Sequence, residues 1–184
     1  MRDADWELVR RARQGDETAY RELVDQYAGG LFGLARSLVG NNADAEDILQ
    51  ETLLGAFKGI KGFEGRSSVK TWLAGIAVKQ AAMCLRSRSA HKTVSLGQLA
   101  EPAESGLRGH KYNEGPSSVD IRADVLAALQ TLSVAHREVI SLRELEGMSY
   151  EEISVVLGIP RGTVESRLFR ARRELKDRLK GYFP

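Results

Sequence analysis

The chain has 184 residues, a length that suits one ordinary domain or two small ones. Its 42% of hydrophobic and 28% of charged residues are typical of a globular protein and exclude an intrinsically disordered chain. The formal net charge of +2 is too small to indicate an anionic partner, so the distribution of charge along the chain is more informative than the total.

Nothing near the start of the sequence predicts export or membrane insertion. The segment from Met1 to Asp5 is mostly charged, and no apolar stretch as long as a signal peptide or a membrane span follows it. The single cysteine, Cys84, cannot form a disulfide within the chain and lies in an apolar helical segment, which predicts a buried thiol. We therefore expect a cytoplasmic protein without membrane insertion.

The first half of the chain, from residue 4 to about residue 90, has the apolar spacing of helices and almost no strand signal. The second helical pattern is interrupted by the Gly29-Gly30 pair, where a bend is expected. A third helix is predicted over residues 43–61, and a glycine-containing loop follows it. Ser67 or Ser68 then caps a fourth helix. The pattern predicts a bundle of four helices.

The predicted third helix has a polar face that is not typical of a core helix. Acidic and amide side chains surround one leucine on this face, whereas Leu53, Phe57 and Ile60 face elsewhere. This combination favours a docking face for a protein partner, and a solvated face with one stray leucine is a fair alternative. The face consists of Asp47, Gln50, Glu51, Leu54 and Lys58.

The loop and the fourth helix combine basic, aromatic and hydroxyl side chains. Unstacked bases stack on aromatic rings and their phosphates attract cations, so the pattern predicts contact with single-stranded nucleic acid. The alternative is that Phe63 and Trp72 are core residues of a small bundle, and for Trp72 this alternative is at least as well supported. The residues concerned are Phe63, Arg66, Ser67, Ser68, Lys70, Trp72 and Lys79, followed by Arg86, Arg88 and Lys92.

Residues 91–118 differ in composition, because they are rich in glycine, proline, serine and charge and have little periodicity. This composition predicts a linker. We therefore divide the chain into an N-terminal domain of residues 1–92, a linker of residues 93–118 and a C-terminal domain of residues 119–184.

Helical periodicity returns after the linker and leads to a helix-turn-helix signature. Ser149 and Glu152 have the spacing of a capping box, in which each side chain accepts a hydrogen bond from the backbone N–H of the other residue. The short helix that they open is expected to end at Gly158, and a longer helix to begin at Pro160 or Arg161.

The last helix has a strongly uneven charge, with eight basic and three acidic residues in residues 161–180. Basic side chains suit DNA phosphates and guanine edges, Phe169 suits a thymine methyl group, and Glu165 can accept a hydrogen bond from a cytosine amino group. The alternative is a basic solvated surface with Phe169 buried. DNA binding is favoured because the capping box and the turn glycine coincide with a basic outer stripe of Gly162, Ser166, Phe169, Arg170 and Arg173.

Several segments of the sequence together resemble the extracytoplasmic-function (ECF) sigma factors of bacterial RNA polymerase. Residues 44–52 (DAEDILQET) are similar to the polymerase-binding helix of that family, and residues 63–77, which begin FEGRSS, are similar to its promoter-melting segment. Residues 142–153 (LRELEGMSYEEI) and 162–172 (GTVESRLFRAR) resemble its fourth conserved region. The match covers both predicted domains in the family's order and leaves only the linker uncovered.

The resemblance implies an all-α fold with two small domains, an N-terminal four-helix bundle like sigma region 2 and a C-terminal helix-turn-helix domain like sigma region 4. The flexible linker between them would thread through the polymerase toward the RNA exit path. The implied partners are core RNA polymerase and promoter DNA, both as duplex and as melted strand. The implied function is to bind core RNA polymerase, recognise the −35 and −10 promoter elements and promote DNA opening.

The resemblance also implies a role for each set of side chains. The clamp coiled coil of the largest polymerase subunit would be bound by Asp44, Asp47, Gln50, Glu51, Leu54 and Lys58. A flipped base of the −10 element would be captured by Phe63, Arg66, Ser67, Ser68, Lys70, Trp72 and Lys79. The −35 element would be read by Arg161, Thr163, Glu165, Ser166, Phe169, Arg170 and Arg173.

Some positions depart from the family pattern. Ser133 stands where proline is usual, and since serine also caps helices well this changes little. Glu64 stands where a basic residue is frequent and Glu165 at a variable position, so the promoter sequence stays open. Family members are commonly held inactive by an anti-sigma factor, and such a partner is a hypothesis for this chain.

Two other classes of protein remain as alternatives. A helix-turn-helix regulator whose N-terminal bundle binds an effector or dimerises would explain the last helix, but it gives no reason for the face from Asp47 to Leu54. An enzyme is disfavoured because His91, His110 and His136 lack metal-ligand spacing, and no glycine-rich phosphate loop or nucleophile elbow occurs. No catalytic residue, metal ligand or cofactor is expected.

Overall fold

The computed structural model describes residues 3–95 and 118–180, in which every regular element is helical. The larger part of the predicted linker, residues 96–117, lies outside the described residues. No helix in the described ranges is both long and apolar enough to cross a membrane. The helices are α1 (Asp3–Arg13), α2 (Glu17–Val39), α3 (Asn42–Gly59), α4 (Val69–Ser95), α5 (Ser118–Gln130), α6 (Val134–Ile140), α7 (Tyr150–Leu157) and α8 (Arg161–Arg178).

The predicted N-terminal bundle is present as α1 to α4, and its helix ends follow local capping chemistry. Helix α2 continues through Gly29 and Gly30 as one helix and ends at Gly40, whose φ of 84° is readily adopted only by glycine. The side chain of Asn41 then accepts a hydrogen bond from the backbone N–H of Asp44 and begins α3.

The segment that joins α3 to α4 differs slightly from expectation. Helix α3 ends at Gly59, and a 3-10 turn at Ile60–Gly62 replaces its predicted last turn. Ser68, and not Ser67, caps α4, because its hydroxyl accepts from the backbone N–H of Thr71 over 3.0 Å. Helix α4 also extends to Ser95, slightly beyond the predicted domain boundary.

The C-terminal helices form the predicted helix-turn-helix. Ser133 caps α6, both hydrogen bonds of the Ser149–Glu152 capping box are present, and Gly158 ends α7 at a φ of 63°. A π-helical segment at Ser141–Leu145 follows α6 directly and was not expected from the sequence. It turns the chain toward α7.

The two groups of helices share one continuous apolar core. Helix α2 contacts α5, α6 and the π-helical segment, and α4 contacts α7. At the centre of this contact the Ser37 hydroxyl donates to the Ser141 hydroxyl over 2.8 Å, and both residues are buried. Cys84 packs against the N-terminal part of the core but is only half-buried, and burial raises the pKa of its thiol.

Candidate polymerase and promoter interfaces

The acidic and amide face of α3 is exposed, as predicted. The Leu54 side chain is 45% exposed on this face. The opposite side of α3 packs into the core through Ala45, Ile48, Thr52 and Ala56. A leucine left in water within a charged surface is a typical centre for a protein contact. The exposed residues of the face are Asp47, Gln50, Glu51, Leu54 and Lys58.

Asp44, which was expected to bind the polymerase together with this face, also makes contacts within the chain. Its carboxylate accepts hydrogen bonds from Asn41 Nδ2 and from Arg88 Nη1, each over 2.8 Å. These contacts stabilise the start of α3 and connect it to α4. Both hydrogen bonds are accepted by Oδ2, and the contact of Asp44 with the polymerase stays a prediction.

Phe57 belongs to the same exposed surface, although its position in the sequence was assigned to another side of the helix. Its ring is 52% exposed and lies edge-on to the ring of Tyr20, with 5.1 Å between the centroids. The Tyr20 hydroxyl donates to the carbonyl oxygen of Leu53, and burial of the phenol raises its pKa. Leu54 and Phe57 are three residues apart on α3, so they form one apolar centre in a polar face.

The loop before α4 holds its aromatic residues inside the bundle. Phe63 is only 6% exposed, and its ring centroid lies 4.7 Å from that of Trp72 and 6.4 Å from that of Trp6. The expectation that Phe63 contacts a base is therefore not met in this arrangement, because its ring fills the core under the loop. Trp72 is half-buried beside it.

The remaining residues of the loop surface fall into two groups. The Arg66 side chain is 86% exposed and its Nε lies 3.0 Å from a Glu64 carboxylate oxygen, and Lys79 is exposed as well. Ser67 and Ser68 are partly exposed. Lys70, in contrast, is engaged by Glu146 of the C-terminal helices, with 3.2 Å between its Nζ and the carboxylate.

The outer stripe of α8 forms a shallow concave surface. Phe169 is 69% exposed, so the alternative in which its ring is buried is excluded in this structure. The inner side of α8 packs through Val164 and Leu168, which belong with Ile153 of α7 to the buried core. The concavity, of about 620 Å³, is lined by Gly162, Glu165, Ser166, Phe169, Arg170, Arg173 and Glu174.

The first turn of α8 places a cation between two carboxylates. Arg161 Nε donates to Glu165 over 2.9 Å, and Arg161 Nη1 donates to Glu151 of α7 over 2.5 Å. Thr163 is half-buried in the same turn, and its carbonyl oxygen accepts a hydrogen bond from the Ser166 hydroxyl. An arginine donor and a glutamate acceptor therefore lie side by side at the end of the helix that would enter a major groove.

The structure also contains an apolar groove that the sequence did not reveal. It has a volume of about 510 Å³ and lies between α5, the π-helical segment and α8. An ion pair between Arg172 and Glu144, 2.7 Å apart, lies at its edge. The sequence pattern did not predict the π-helical segment beside this groove, so the spacing of apolar residues did not indicate the groove. Its apolar lining residues are Val125, Leu129, Ile140, Leu145, Leu175 and Leu179.

Comparison with known families agrees with this arrangement of surfaces. Residues 23–91 match the family model described as Sigma-70 region 2, and residues 122–175 match the one described as Sigma-70, region 4. A helical bundle followed by this helix-turn-helix defines the class of sigma-70-type transcription initiation factors.

Relatives of similar length identify the family within that class. The chain is 34% identical over 181 residues to the ECF RNA polymerase sigma-E factor of Haemophilus influenzae, a match that covers 95% of each chain. It is 36% identical over 183 residues to the RNA polymerase sigma-H factor of Pseudomonas aeruginosa, covering 96% of this chain and 94% of that one. The protein belongs to the ECF sigma factors. It is thus a non-catalytic subunit of RNA polymerase that recognises promoters and initiates transcription.

Two solved structures are similar over most of the chain. The sigma factor RpoE of Bartonella quintana, in complex with the anti-sigma factor NepR, has a TM-score of 0.72 and 30% identity, covering 88% of this chain and 96% of that one. CnrH in complex with the cytosolic domain of CnrY has a TM-score of 0.73 and 26% identity, covering 97% and 99%.

Proposed function

We propose that this ECF sigma factor divides its task among three surfaces. The exposed face of α3, together with Phe57, binds core RNA polymerase. The loop before α4 and the start of α4 capture a base of the melted −10 element. The outer stripe of α8 reads the −35 duplex. In this proposal residues 1–92 and 119–184 act as the two binding domains, residues 93–118 connect them, and the protein works in the cytoplasm together with the polymerase.

The observation that carries the proposal is the exposed pair Leu54 and Phe57 within the acidic and amide face. An apolar centre with a polar rim is the usual composition of a protein-binding surface, and truncation of such a centre typically removes much of the affinity. A helix-turn-helix regulator that acts without polymerase has no use for this surface. The pair therefore supports a chain that docks on a large partner while it binds DNA elsewhere.

The proposed DNA surfaces differ in what they read. Arg66 and Lys79 are cations in water beside partly exposed serine hydroxyls, a composition that suits the backbone and an extruded base of a single strand. Extrusion of one base costs about a few kcal/mol, which contacts at the loop must offset. On α8 the exposed arginines and Phe169 suit the phosphates and base edges of a major groove.

The proposal is tested by transcription from a pool of randomised templates with bacterial core polymerase. We expect the wild-type protein to select a shared two-part motif, and Leu54→Ala to lower both polymerase affinity and initiation by about tenfold or more, as for an interface hot spot. The matched control is Val155→Ala, which truncates an exposed apolar side chain on α7 and should leave both unchanged.

Two results would count against the proposal. One is equal initiation by the Leu54 and Val155 variants, which would remove the α3 face from polymerase binding. The other is failure of core polymerase to bind the wild-type protein while the protein alone selects duplex DNA, which would favour a simple regulator.

We further propose that an anti-sigma factor binds this chain through the apolar groove at α5 and α8. The groove has an apolar lining with charged side chains among its lining residues, so it suits one face of an amphipathic helix. The two similar solved proteins, RpoE and CnrH, are each in a complex with a partner protein, and the partner of RpoE is the anti-sigma factor NepR. Affinity capture from the native host should retain a sequestering protein on the wild-type chain and lose it on Leu145→Asp, with Val155→Asp as control. Capture of no such protein by the wild-type chain would contradict this partner.

A further inference from the structure

The aromatic ring that is most exposed beside the loop before α4 belongs to α1 and not to the loop. Phe63 fills the core, whereas Trp6 of α1 is 38% exposed. The ring centroids of Trp6 and Phe63 are 6.4 Å apart, with an angle of 57° between the ring planes, and Trp72 packs against Phe63 in turn. Rings from α1, the loop and α4 are therefore joined, and among them Trp6 offers the most surface to water.

Helix α1 carries two arginines on the same side as Trp6. Arg10 and Arg13 follow Trp6 by four and seven residues, which is the spacing of one helical face, and all three residues are exposed. The buried side of α1 contains Val9 and Ala12 instead. We call the three exposed residues the α1 stripe. At a rise of 1.5 Å per residue the stripe is about 10 Å long. One DNA strand has a phosphate about every 3.4 Å along a duplex axis, so this length matches about three nucleotides.

The α1 stripe begins beside the loop that is proposed to capture a base. Helix α1 packs against the 3-10 turn at Ile60–Gly62, and the ring contact between Trp6 and Phe63 fixes which end of the stripe meets the loop. Lys61 in this turn is exposed, and the Arg66 side chain in the loop is 86% exposed. The stripe therefore extends the basic surface of the loop along α1.

The carboxylates beside these cations are not tightly held. Arg10 Nη2 lies 2.7 Å from a Glu7 carboxylate oxygen, and Arg66 Nε lies 3.0 Å from one of Glu64. All four side chains are more than half exposed, and ion pairs in water contribute little because solvent screens them. A phosphate accepts hydrogen bonds from a guanidinium with the same geometry as a carboxylate, so it can replace Glu7 or Glu64 at these arginines.

A half-exposed tryptophan at the edge of a core needs no function by itself. Trp6 differs from such a residue because it lies between a basic stripe and the proposed site of base capture. A melted strand that leaves this site has unpaired bases, and stacking on an aromatic ring compensates for lost contacts with neighbouring bases. Every base has a π-face, so a ring of this kind supplies affinity without selecting a sequence.

We propose that α1 continues the −10 surface beyond the loop, with the Trp6 ring stacked on a base next to the captured one and with Arg10 and Arg13 bound to the phosphates that follow. The captured base is read by the loop, whereas the stacked base is held whatever its identity. The inference rests on the proposed function of the loop. It adds to that function a second contact with the melted strand, made by a different helix.

The first experiment measures the Kd of the reconstituted holoenzyme for a labelled forked promoter template. The template has a duplex −35 element and carries, as a single strand, the −10 element that the wild-type protein selects in the transcription experiment. An abasic nucleotide replaces each base of the single strand in turn. For the wild type we expect one position next to the captured base at which all four bases bind alike but the abasic nucleotide weakens binding about tenfold. At the captured base, in contrast, the identity of the base matters as well.

Trp6→Leu tests whether Trp6 is the ring at that position. Leucine keeps an apolar contact with Phe63 but cannot stack on a base. We expect this variant to bind the intact template about tenfold more weakly than the wild type, and to lose nothing more when the abasic nucleotide stands at the stacked position. If the two losses add at every position of the strand, or if Trp6→Leu binds like the wild type, Trp6 does not stack on a base and the proposal is overturned.

Trp6→Phe is the matched control, because it retains an aromatic ring at the same place. It should keep most of the wild-type affinity and its sensitivity to the abasic nucleotide, while urea unfolding should give the same midpoint for the Phe and Leu variants. Equal losses of affinity in the Phe and Leu variants would show that the contact does not depend on a stacking ring, and would also overturn the proposal.

The second experiment counts the phosphate contacts through the dependence of Kd on salt. Arg10→Gln and Arg13→Gln should each reduce the slope of log K against log salt concentration by about 0.7, the value for one phosphate contact of a single strand. The control is Arg21→Gln, which removes the same charge from an exposed position on α2 and should leave the slope unchanged. Equal slopes for all three variants would overturn the assignment of these arginines to phosphates.

The outcomes separate this inference from the proposed function on which it rests. A holoenzyme that neither initiates transcription nor binds the forked template overturns the proposed function, and this inference with it. A holoenzyme that selects the −10 element and binds the template, but is insensitive to Trp6→Leu, overturns the α1 contact alone.

Discussion

Arg137→Met should destabilise the folded protein strongly, because this side chain holds the ends of two helices together. The residue is only 8% exposed. Its Nη1 donates to the Leu38 carbonyl over 2.6 Å, and its Nη2 donates to the carbonyls of Gln130 and Leu132, each over 3.1 Å. Methionine retains the apolar stem and removes the donors, which leaves three carbonyl groups without this partner.

The size of the effect follows from those carbonyl groups. A buried acceptor without a partner costs about 1–3 kcal/mol, and partial access of water reduces the total, so we expect about 3–5 kcal/mol. In urea, with a slope of about 2 kcal/mol/M, this shifts the unfolding midpoint down by about 1.5–2.5 M. Far-UV circular dichroism measures the transition.

The matched control is Arg172→Met, which removes a guanidinium from a largely exposed ion pair with Glu144. Exposed pairs contribute about 0–1 kcal/mol, so the midpoint should change little. If Arg137→Met and Arg172→Met shift the midpoint equally, the guanidinium of Arg137 does not hold the helix ends, and the reasoning from buried carbonyls is refuted.

Three further predictions concern binding and pH. In promoter selection, Glu165→Gln should change the preferred base at its contact from cytosine to adenine, with a preference for adenine of about tenfold, because glutamine pairs with adenine N6 and N7. An unchanged motif would show that this residue does not read a base. The backbone N–H of Ser149 holds the pKa of Glu152 below its ordinary value of 4.5, so the Glu152 carboxylate stabilises the fold above that pH and this stabilisation is lost as the pH falls through the lower pKa. In urea unfolding at a series of pH values, Glu152→Gln should therefore lose less stability on acidification than the wild type. Identical pH profiles for the two proteins would contradict this prediction. Phe57→Ala should lower core-polymerase affinity about tenfold while the unfolding free energy falls by only about 1 kcal/mol, because the ring is half-exposed against Tyr20. A fall of about 3–5 kcal/mol in the unfolding free energy would instead indicate a core position.

The parts of the fold that could be predicted from the sequence are those set by local chemistry. Ser149 with Glu152, Gly158 and Ser133 each mark a helix end in the sequence and in the structure, because a cap needs only its own neighbouring backbone groups. The exposed position of Phe169 was also predictable, since the apolar spacing of α8 assigns the buried side to other residues.

The parts that could not be predicted depend on contacts between distant segments. Asp44 shares the helical face of Asp47 by spacing, and only the fold shows that Arg88, 44 residues later, occupies its carboxylate. The aromatic ring of Phe63 in a basic loop predicts base stacking, but in the fold this ring packs against Trp6 and Trp72. The π-helical segment breaks the periodicity on which any spacing argument depends, so the apolar groove beside it had no signal in the pattern.

The contact between the two groups of helices combines an apolar core with buried hydrogen bonds. Where two surfaces meet through apolar side chains alone, parting them exposes area to water and is strongly unfavourable. Here the shared apolar core is supplemented by polar contacts, because Ser37 and Ser141 pair with each other and the Leu38 carbonyl accepts from Arg137. Each of these hydrogen bonds adds a net contribution of only about 0.5–1.5 kcal/mol to the apolar one. Arg137 differs, because two of its three carbonyl partners lie within the C-terminal helices, and its loss destabilises that group whether the contact is closed or open.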